Sequence, residues 1–331
     1  MAAGSLFSWP RRGGTASPRP VTNRNSTMYF PTAGIACNPV LPFFVSLGIS
    51  FFTSMGGITG ALLLLPFQMS VLGYVNPSVS ATNQFFNVLA CPSGVWAYWR
   101  EGRMVWPLAA AIVAGTLPGV FLGAVVRVWL LPDPGHFRVF VALVLLSMGG
   151  RLARDAWRSR RALPSRTAGP RQRQRPGSGP PFVCQVLHRS SREIVLSFQH
   201  RTYTVTARRL WLLSLSVGLV GGVYGIGGGG IIATFLISLF GLPIYVVAGA
   251  TLFATALTSL AAVGFYALLA PLSPDLAVTP DWKLGLLMGL GGMCGMYFGS
   301  RCQKFVPQAA LKTMLALIML LTALRYLARA L

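Results

Sequence analysis

Apolar residues in this chain gather into eight long blocks, at about 40–74, 77–98, 105–130, 136–157, 209–242, 244–271, 282–304 and 308–328, divided by polar stretches. A helix that crosses a bilayer needs about 20 predominantly apolar residues. Each block meets that length, and the pattern predicts eight transmembrane helices. Trp96, Trp99, Trp106, Trp129, Trp157, Trp211 and Trp282 lie near the predicted ends, as an aromatic belt at the membrane interfaces requires.

Two blocks are too long. Residues 40–74 and 210–244 carry no charge, and an unbroken helix of that length would reach roughly 52 Å, against a hydrocarbon core of about 30 Å. Each holds a glycine-rich interruption, Gly57-Ile58-Thr59-Gly60-Ala61 in the first and Gly225-Ile226-Gly227-Gly228-Gly229-Gly230 in the second. Each block therefore predicts a helix that breaks at membrane depth. Irregular backbone is tolerated there only when protein buries it or it lines a cavity. The plainer reading is that the glycines are packing notches, since Gly is common in membrane helices.

The polar segments differ from one another. Residues 1–38 are rich in Arg, Pro, Ser, Thr and Gly and lack Asp and Glu, a composition that cannot build a core. We expect a disordered basic arm. A transit peptide and a misassigned leader ahead of a start at Met28 are both compatible with it. The stretch 158–207 opens as a basic linker from Arg158 to Pro181. It then alternates through Glu193–Phe198 and Arg201–Thr206, two β-rich runs about Gln199-His200 that predict a hairpin. A lone hairpin is marginal in water, so it should pack on the membrane domain or on a partner. The organisation expected is an arm (1–38), a first membrane repeat (39–157), a cytoplasmic insert (158–207) and a second membrane repeat (208–331).

Composition narrows the class. The chain is 53% hydrophobic and 10% charged, where soluble domains hold about 25% charged residues. A net charge of +22 would suggest nucleic acid in a soluble protein. Here Lys and Arg lie between or beside the spans, so they report topology and no nucleic-acid partner is expected. The five cysteines (37, 91, 184, 294, 302) form no Cys-x-x-Cys pair, and His136, His188 and His200 fall in polar segments. We expect no metal, no cofactor and no enzyme. Eight crossings from an inward N-terminus put 23 of the 28 Lys and Arg inside. If the two broken segments turned back without crossing, the best division is 19 to 9. The positive-inside rule then favours eight crossings in a cell (inner) membrane, with both termini cytoplasmic.

The halves repeat. The breaks recur at an offset of 168, Ala81-Thr82 corresponds to Ala250-Thr251, and Trp106, Gly115, Gly119 and Gly123 correspond to Trp282, Gly291, Gly295 and Gly299 at an offset of 176. The expected fold is an all-α polytopic membrane protein: two four-helix repeats in one orientation, the first helix of each broken, with a small β-hairpin insert. The spaced glycines read as helix-packing surfaces. The run Gly225-Ile226-Gly227-Gly228-Gly229, the Ala-Thr pairs opening the next helices, and Gly102-Arg103-x-x-Trp106 before a glycine-spaced helix resemble the TauE/SafE sulfite exporter family of membrane permeases. The first copy departs at Thr59 and Ala61 but keeps Pro66, while the second has Thr234 where that proline would stand. The two breaks are then chemically unequal, and Thr59 adds a hydroxyl to the first. The resemblance implies transport of sulfur-containing anions such as sulfite or sulfonates.

A broken helix frees backbone N–H groups at the start of its second half, together with the positive end of its dipole. Such a terminus can hold an oxyanion without a cationic side chain. The candidate substrate-binding residues are Gly57, Thr59, Gly60, Gly225, Gly227, Gly228 and Gly229 in the breaks, with Thr82, Asn83, Asn87, Thr251 and Thr255 on the helices that follow. Gln68, Gln84, Thr258 and Ser259 add mid-membrane polarity. For each polar residue the plainer role is a hydrogen bond between or within helices. No Lys follows the glycine run, which excludes a phosphate-binding nucleotide loop. All six acids lie at block ends or in loops, so the chain lacks the intramembrane carboxylate of many proton-driven carriers. Coupling is then passive, or through an ion held by backbone and hydroxyl oxygens. The leading reading is a secondary exporter or facilitator of small sulfur oxyanions or sulfonates. The alternative is a non-transporting scaffold that recruits a partner through 158–207. The expected partners are that anion and the lipid bilayer, with a homo-oligomer left open.

Overall fold

A computed structural model describes residues 27–161, 185–189, 193–198, 201–303, 305–306 and 308–328. Most of the N-terminal arm and the linker 162–184 lie outside these. The described chain is mostly helical. Its helices are α1 (Val40–Met55), α2 (Ala61–Ser70), α3 (Ser78–Arg100), α4 (Trp106–Val125), α5 (Pro134–Arg161), α6 (Ala207–Tyr224), α7 (Gly229–Phe240), α8 (Ile244–Leu269), α9 (Trp282–Cys302) and α10 (Gln308–Leu327). Four stretches are long and apolar enough to cross a membrane: Trp106–Leu130, Pro134–Trp157, Val246–Leu272 and Ala310–Leu327. Strands β1 (Met28–Phe30) and β2 (Ile35–Cys37) form a hairpin from residues assigned by composition to the disordered arm. Its turn is fixed by Asp281, which accepts the Thr32 and Ala33 N–H groups at 3.1 Å. In the insert, β4 (Glu193–Phe198) and β5 (Arg201–Thr206) pair antiparallel as expected, and β3 (Gln185–Arg189) adds a third strand.

Both glycine runs break their helices, by the same geometry. Gly57 (φ 70°) and Gly225 (φ 86°) stand in the left-handed region just past α1 and α6, the position glycine fills most cheaply. The next N–H reaches back five residues in each case, Ile58 to the Thr53 carbonyl and Ile226 to the Gly221 carbonyl. This left-handed cap turns the chain sharply. Gly60 returns to lie against Ser50, and the Gly227 carbonyl lies against Gly221.

The helix directions follow from residue contacts. Gly291, Gly295 and Gly299 of α9 meet Phe43, Leu47 and Phe51 of α1 in order, so those helices run parallel. Gly285 and Gly289 meet Phe85 and Leu89, so α3 runs with them. Helix α2 starts with the Ala61 carbonyl on Asn83 and ends towards Tyr74, which bonds Ser78 and Thr82; it runs against α3 and therefore against α1. In the other half, Gly115, Gly119 and Gly123 of α4 meet Ser214, Gly218 and Gly222 of α6 in parallel. The ring pairs Trp106–Phe253 and Phe121–Phe265 set α8 parallel to α4. Helix α7 starts beside Thr258 and ends at the turn that opens α8, so it runs against α8 and α6.

These directions correct two expectations. The blocks 40–74 and 209–242 do not each run straight through; the left-handed caps send α2 and α7 back beside the helices they follow. The halves also do not share one orientation. Gly149 of α5 packs on Met319 and Leu320 of α10, while Leu152 and Asp155 lie with Leu311, Lys312 and Leu315, so α5 and α10 are antiparallel. The insert that joins α5 to α6 thus lies at one end of the bundle. The β1–β2 hairpin, the α8–α9 loop and the end of α10 lie at the other. A cytoplasmic insert and cytoplasmic termini therefore exclude one another.

The spaced glycines are packing surfaces, as expected. A Cβ at Gly119 would sit 2.3 Å from the Leu215 carbonyl, and one at Gly295 2.2 Å from the Leu47 carbonyl. The opposing helices answer with small residues at four-residue spacing, Ser214, Gly218 and Gly222 on α6 and Ser46, Ser50 and Ser54 on α1. Close backbone approach of this kind is how helices associate where lipid removes the hydrophobic driving force.

Candidate functional site

The two breaks meet at the centre of the bundle. Asn87, in the middle of α3, ties them together: its Nδ2 donates to the Ile226 carbonyl at 3.0 Å, and its Oδ1 accepts the Thr59 hydroxyl. From α8, Thr251 Oγ1 reaches the Gly57 carbonyl at 3.5 Å while also bonding the Val247 and Ala248 carbonyls of its own helix. A Cβ at Gly230 would lie 3.0 Å from Thr59 Cγ2. The first turns of α2 and α7 therefore start side by side and run in opposite directions. Each brings roughly half a positive elementary charge; the first N–H groups of α2 are held locally, Ala61 by Thr59 Oγ1 at 3.4 Å and Leu63 and Leu64 by the Gly60 carbonyl.

The surrounding polar groups hold the breaks in shape. Asn83 Nδ2 donates to the Ala61 carbonyl at 2.9 Å and accepts from Gln68 Nε2 at 2.9 Å. Gly228 N–H donates to Thr258 Oγ1 at 3.0 Å, and Ser259 Oγ donates to Gln84 Oε1 at 2.7 Å, joining α8 to α3. Carbonyls where α1 and α6 end also accept from other helices: Ser54 from the Tyr98 hydroxyl, Met55 from Gln303 Nε2, Gly222 from the Tyr266 hydroxyl and Val223 from Ser80 Oγ. Thr59, Asn83, Asn87, Thr251 and Thr255 are fully buried. In this conformation the centre is closed to both ends of the bundle.

Not every candidate belongs to this centre. Thr82 turns away from it, bonding the Tyr74 hydroxyl and accepting the Asp281 N–H at 2.9 Å. Thr255 Oγ1 donates within its own helix to the Thr251 carbonyl at 2.9 Å, while its methyl side faces Gly227. Gly225 lies on the Ser80 backbone and caps α6. Gly228 and Gly229 are steric necessities: a Cβ would stand 2.2 Å from Thr116 Cβ and 1.9 Å from the Thr251 carbonyl. Gly57, Thr59, Gly60, Asn83, Asn87, Gly227, Gly228, Gly229 and Thr251 do converge.

Three residues near the site escaped the sequence reading. Thr116 supports Gly228 from α4. The Cys91 thiol lies 3.9 Å from Thr59 Oγ1 and 3.8 Å from Asn87 Oδ1; its position one turn beyond Asn87 was the available signal. Arg127 falls near the end of the block 105–130, where a charge draws no notice. It sits in a π-helical turn (Val126–Leu130) that ends α4, and it is fully buried.

A helical bundle whose polar centre is built from two opposed helix breaks has the plan of membrane transporters. The chain belongs to the sulfite exporter TauE/SafE family, whose pattern matches residues 42–326. It is also similar to a probable membrane transporter protein, YdhB, of Bacillus subtilis (strain 168), with 30% identity over 118 residues. That match covers 36% of this chain and 45% of the relative. No solved structure matches.

Proposed function

We propose that this protein is a secondary transporter that passes small sulfur-containing oxyanions, sulfite or organosulfonates, through the centre where α2 and α7 begin. The observation that supports this best is the convergence of two half-helix N-termini tied by one neutral side chain, Asn87. Two positive dipole ends suit an oxyanion, and a buried centre without a carboxylate does not repel one. The two five-helix units (α1–α5 and α6–α10) act as inverted repeats. In such transporters the site lies at the repeat interface, and access alternates by rocking one unit against the other.

Orientation follows from the same directions. Counted along the sequence, the segments that join helices on the insert's side hold 19 of the 28 Lys and Arg, so we infer that this side is cytoplasmic and that both termini face out. An inside-negative potential then favours anion export by about 2.3 kcal/mol per charge per 100 mV. The test is flux of radiolabelled sulfite, taurine and sulfoacetate into and out of liposomes that hold the purified full chain. Saturable, potential-dependent movement of at least one anion is expected. A protein that moved none, yet lost partner recruitment when 185–206 was deleted, would be the scaffold instead.

A further inference from the structure

Arg127 is a buried guanidinium without a carboxylate partner among the described residues. It is fully buried near the end of α4, on the face that Gly123 and Ala124 continue. Its Nε donates to Ser80 Oγ at 3.3 Å, one terminal nitrogen donates to the Leu131 carbonyl, and its Cζ lies 3.7 Å above the Phe137 ring. The other terminal nitrogen, Nη2, is buried and has no hydrogen-bond partner. The hydroxyls of Tyr74 and Tyr266 are taken up elsewhere, by Ser78 and Thr82 and by the Gly222 carbonyl. A cation enclosed in this way is costly unless it is paired. The π-helical turn that presents it is a distortion found mostly at functional positions.

The group is also wired to the second break. Ser80 accepts from Arg127 and donates to the Val223 carbonyl at 3.0 Å, one residue before the α6 C-terminus, and Gly225 rests on the Ser80 backbone. Ser80 precedes Asn87 by seven residues on α3, which places Arg127 roughly 10 Å from the centre, on the side that holds the termini. We propose that Arg127, through its unpartnered Nη2, anchors a second anion site: a waiting position for a small oxyanion between the central breaks and the end of the bundle that holds the termini. Nη2, the nitrogen left without a partner, offers two N–H groups of a charged guanidinium to an oxygen of a sulfite, sulfonate or sulfate group. This inference extends the proposed function by a second site, and needs from it only that a small oxyanion enters the bundle.

Selenite, a heavier isostere of sulfite, locates the site in the wild-type chain. Crystals soaked in selenite should show an anomalous selenium peak within hydrogen-bond distance of Arg127. A peak only between the breaks would overturn this site and leave the proposed transport standing. No peak in either place would overturn both. In solution, sulfite should raise the melting temperature of wild type and of Asn87→Asp, and R127M should abolish the rise that remains in Asn87→Asp. R127K should bind with roughly ten- to a hundredfold lower affinity, the loss expected when a hydrogen-bonded charge pair is degraded. A full sulfite response in R127M would sink the proposal. If R127M does not fold, the selenium position decides.

Discussion

Asn87 hydrogen-bonds to both breaks, with its amide divided between Thr59 and the Ile226 carbonyl. Replacing it by Asp keeps the size but removes the donor and sets a negative charge between two helix N-termini. That charge would occupy the field an anion needs. We expect Asn87→Asp to lose sulfite flux while remaining in the membrane, with a stability loss of about 1–3 kcal/mol from the unpaired Ile226 carbonyl. Thr322→Val, on an exposed face of α10 where the hydroxyl bonds only its own helix, should transport like wild type. Flux per folded protein, measured in liposomes, separates the two. Gly228 and Gly229 look like better targets from sequence, but Thr116 and the Thr251 carbonyl leave no room for a methyl group. Substitutions there would report folding, and their loss of transport would say little about anions.

Pairs of helices, one from each half, set how the breaks are held. Helix α4 lies on α6 and α9 on α1, through rows of small residues, so each half braces the broken helix of the other. Gly119→Ala and Gly295→Ala should each destabilise by about 1–3 kcal/mol, as overpacking does in a close-packed interior. Gly150→Ala, with no atom within 4 Å of its new methyl group, should be neutral or stabilising by up to about 1 kcal/mol. Thermal melting in detergent checks all three. These rows were legible in the sequence because a four-residue spacing of glycine fixes a helix face whatever that face meets. The breaks were legible for the same local reason. What lay beyond reach was the direction taken after each break, since apolar spacing reads the same in a helix that continues and in one that returns. Arg127 was missed for a related cause: an Arg four residues before Leu131-Pro132-Asp133 resembles a loop charge until a π-turn is seen to direct it inwards.

At the scale of the whole molecule, the two halves run in opposite senses, and this changes what the charge pattern means. Eight crossings gave the stronger bias, 23 to 5, but 14 of those 23 lie in residues 151–209. Charges in long segments weigh little in the positive-inside rule. Antiparallel α5 and α10 bring Lys312 to the end of the bundle where Asp155 and the insert lie; counted as outside with eight crossings, it now adds to the insert's side. The two arrangements differ most plainly at the α8–α9 loop. Eight crossings would place it on the same side of the membrane as the insert. The observed directions place it opposite. Single cysteines at Asp275, exposed in that loop, and at Thr202, exposed on β5 of the insert, decide the matter in a background stripped of native cysteines. An impermeant maleimide added to intact cells should label Asp275→Cys and leave Thr202→Cys unreacted until the membrane is opened. If both positions required opening, the chain would cross eight times and the helix pairs described above could not form. Labelling of Asp275→Cys alone also bears on transport. An inverted arrangement lets one central site face each side in turn by rocking one unit against the other, while the helices that bound it, α3 and α8, keep their antiparallel contact through Gln84 and Ser259.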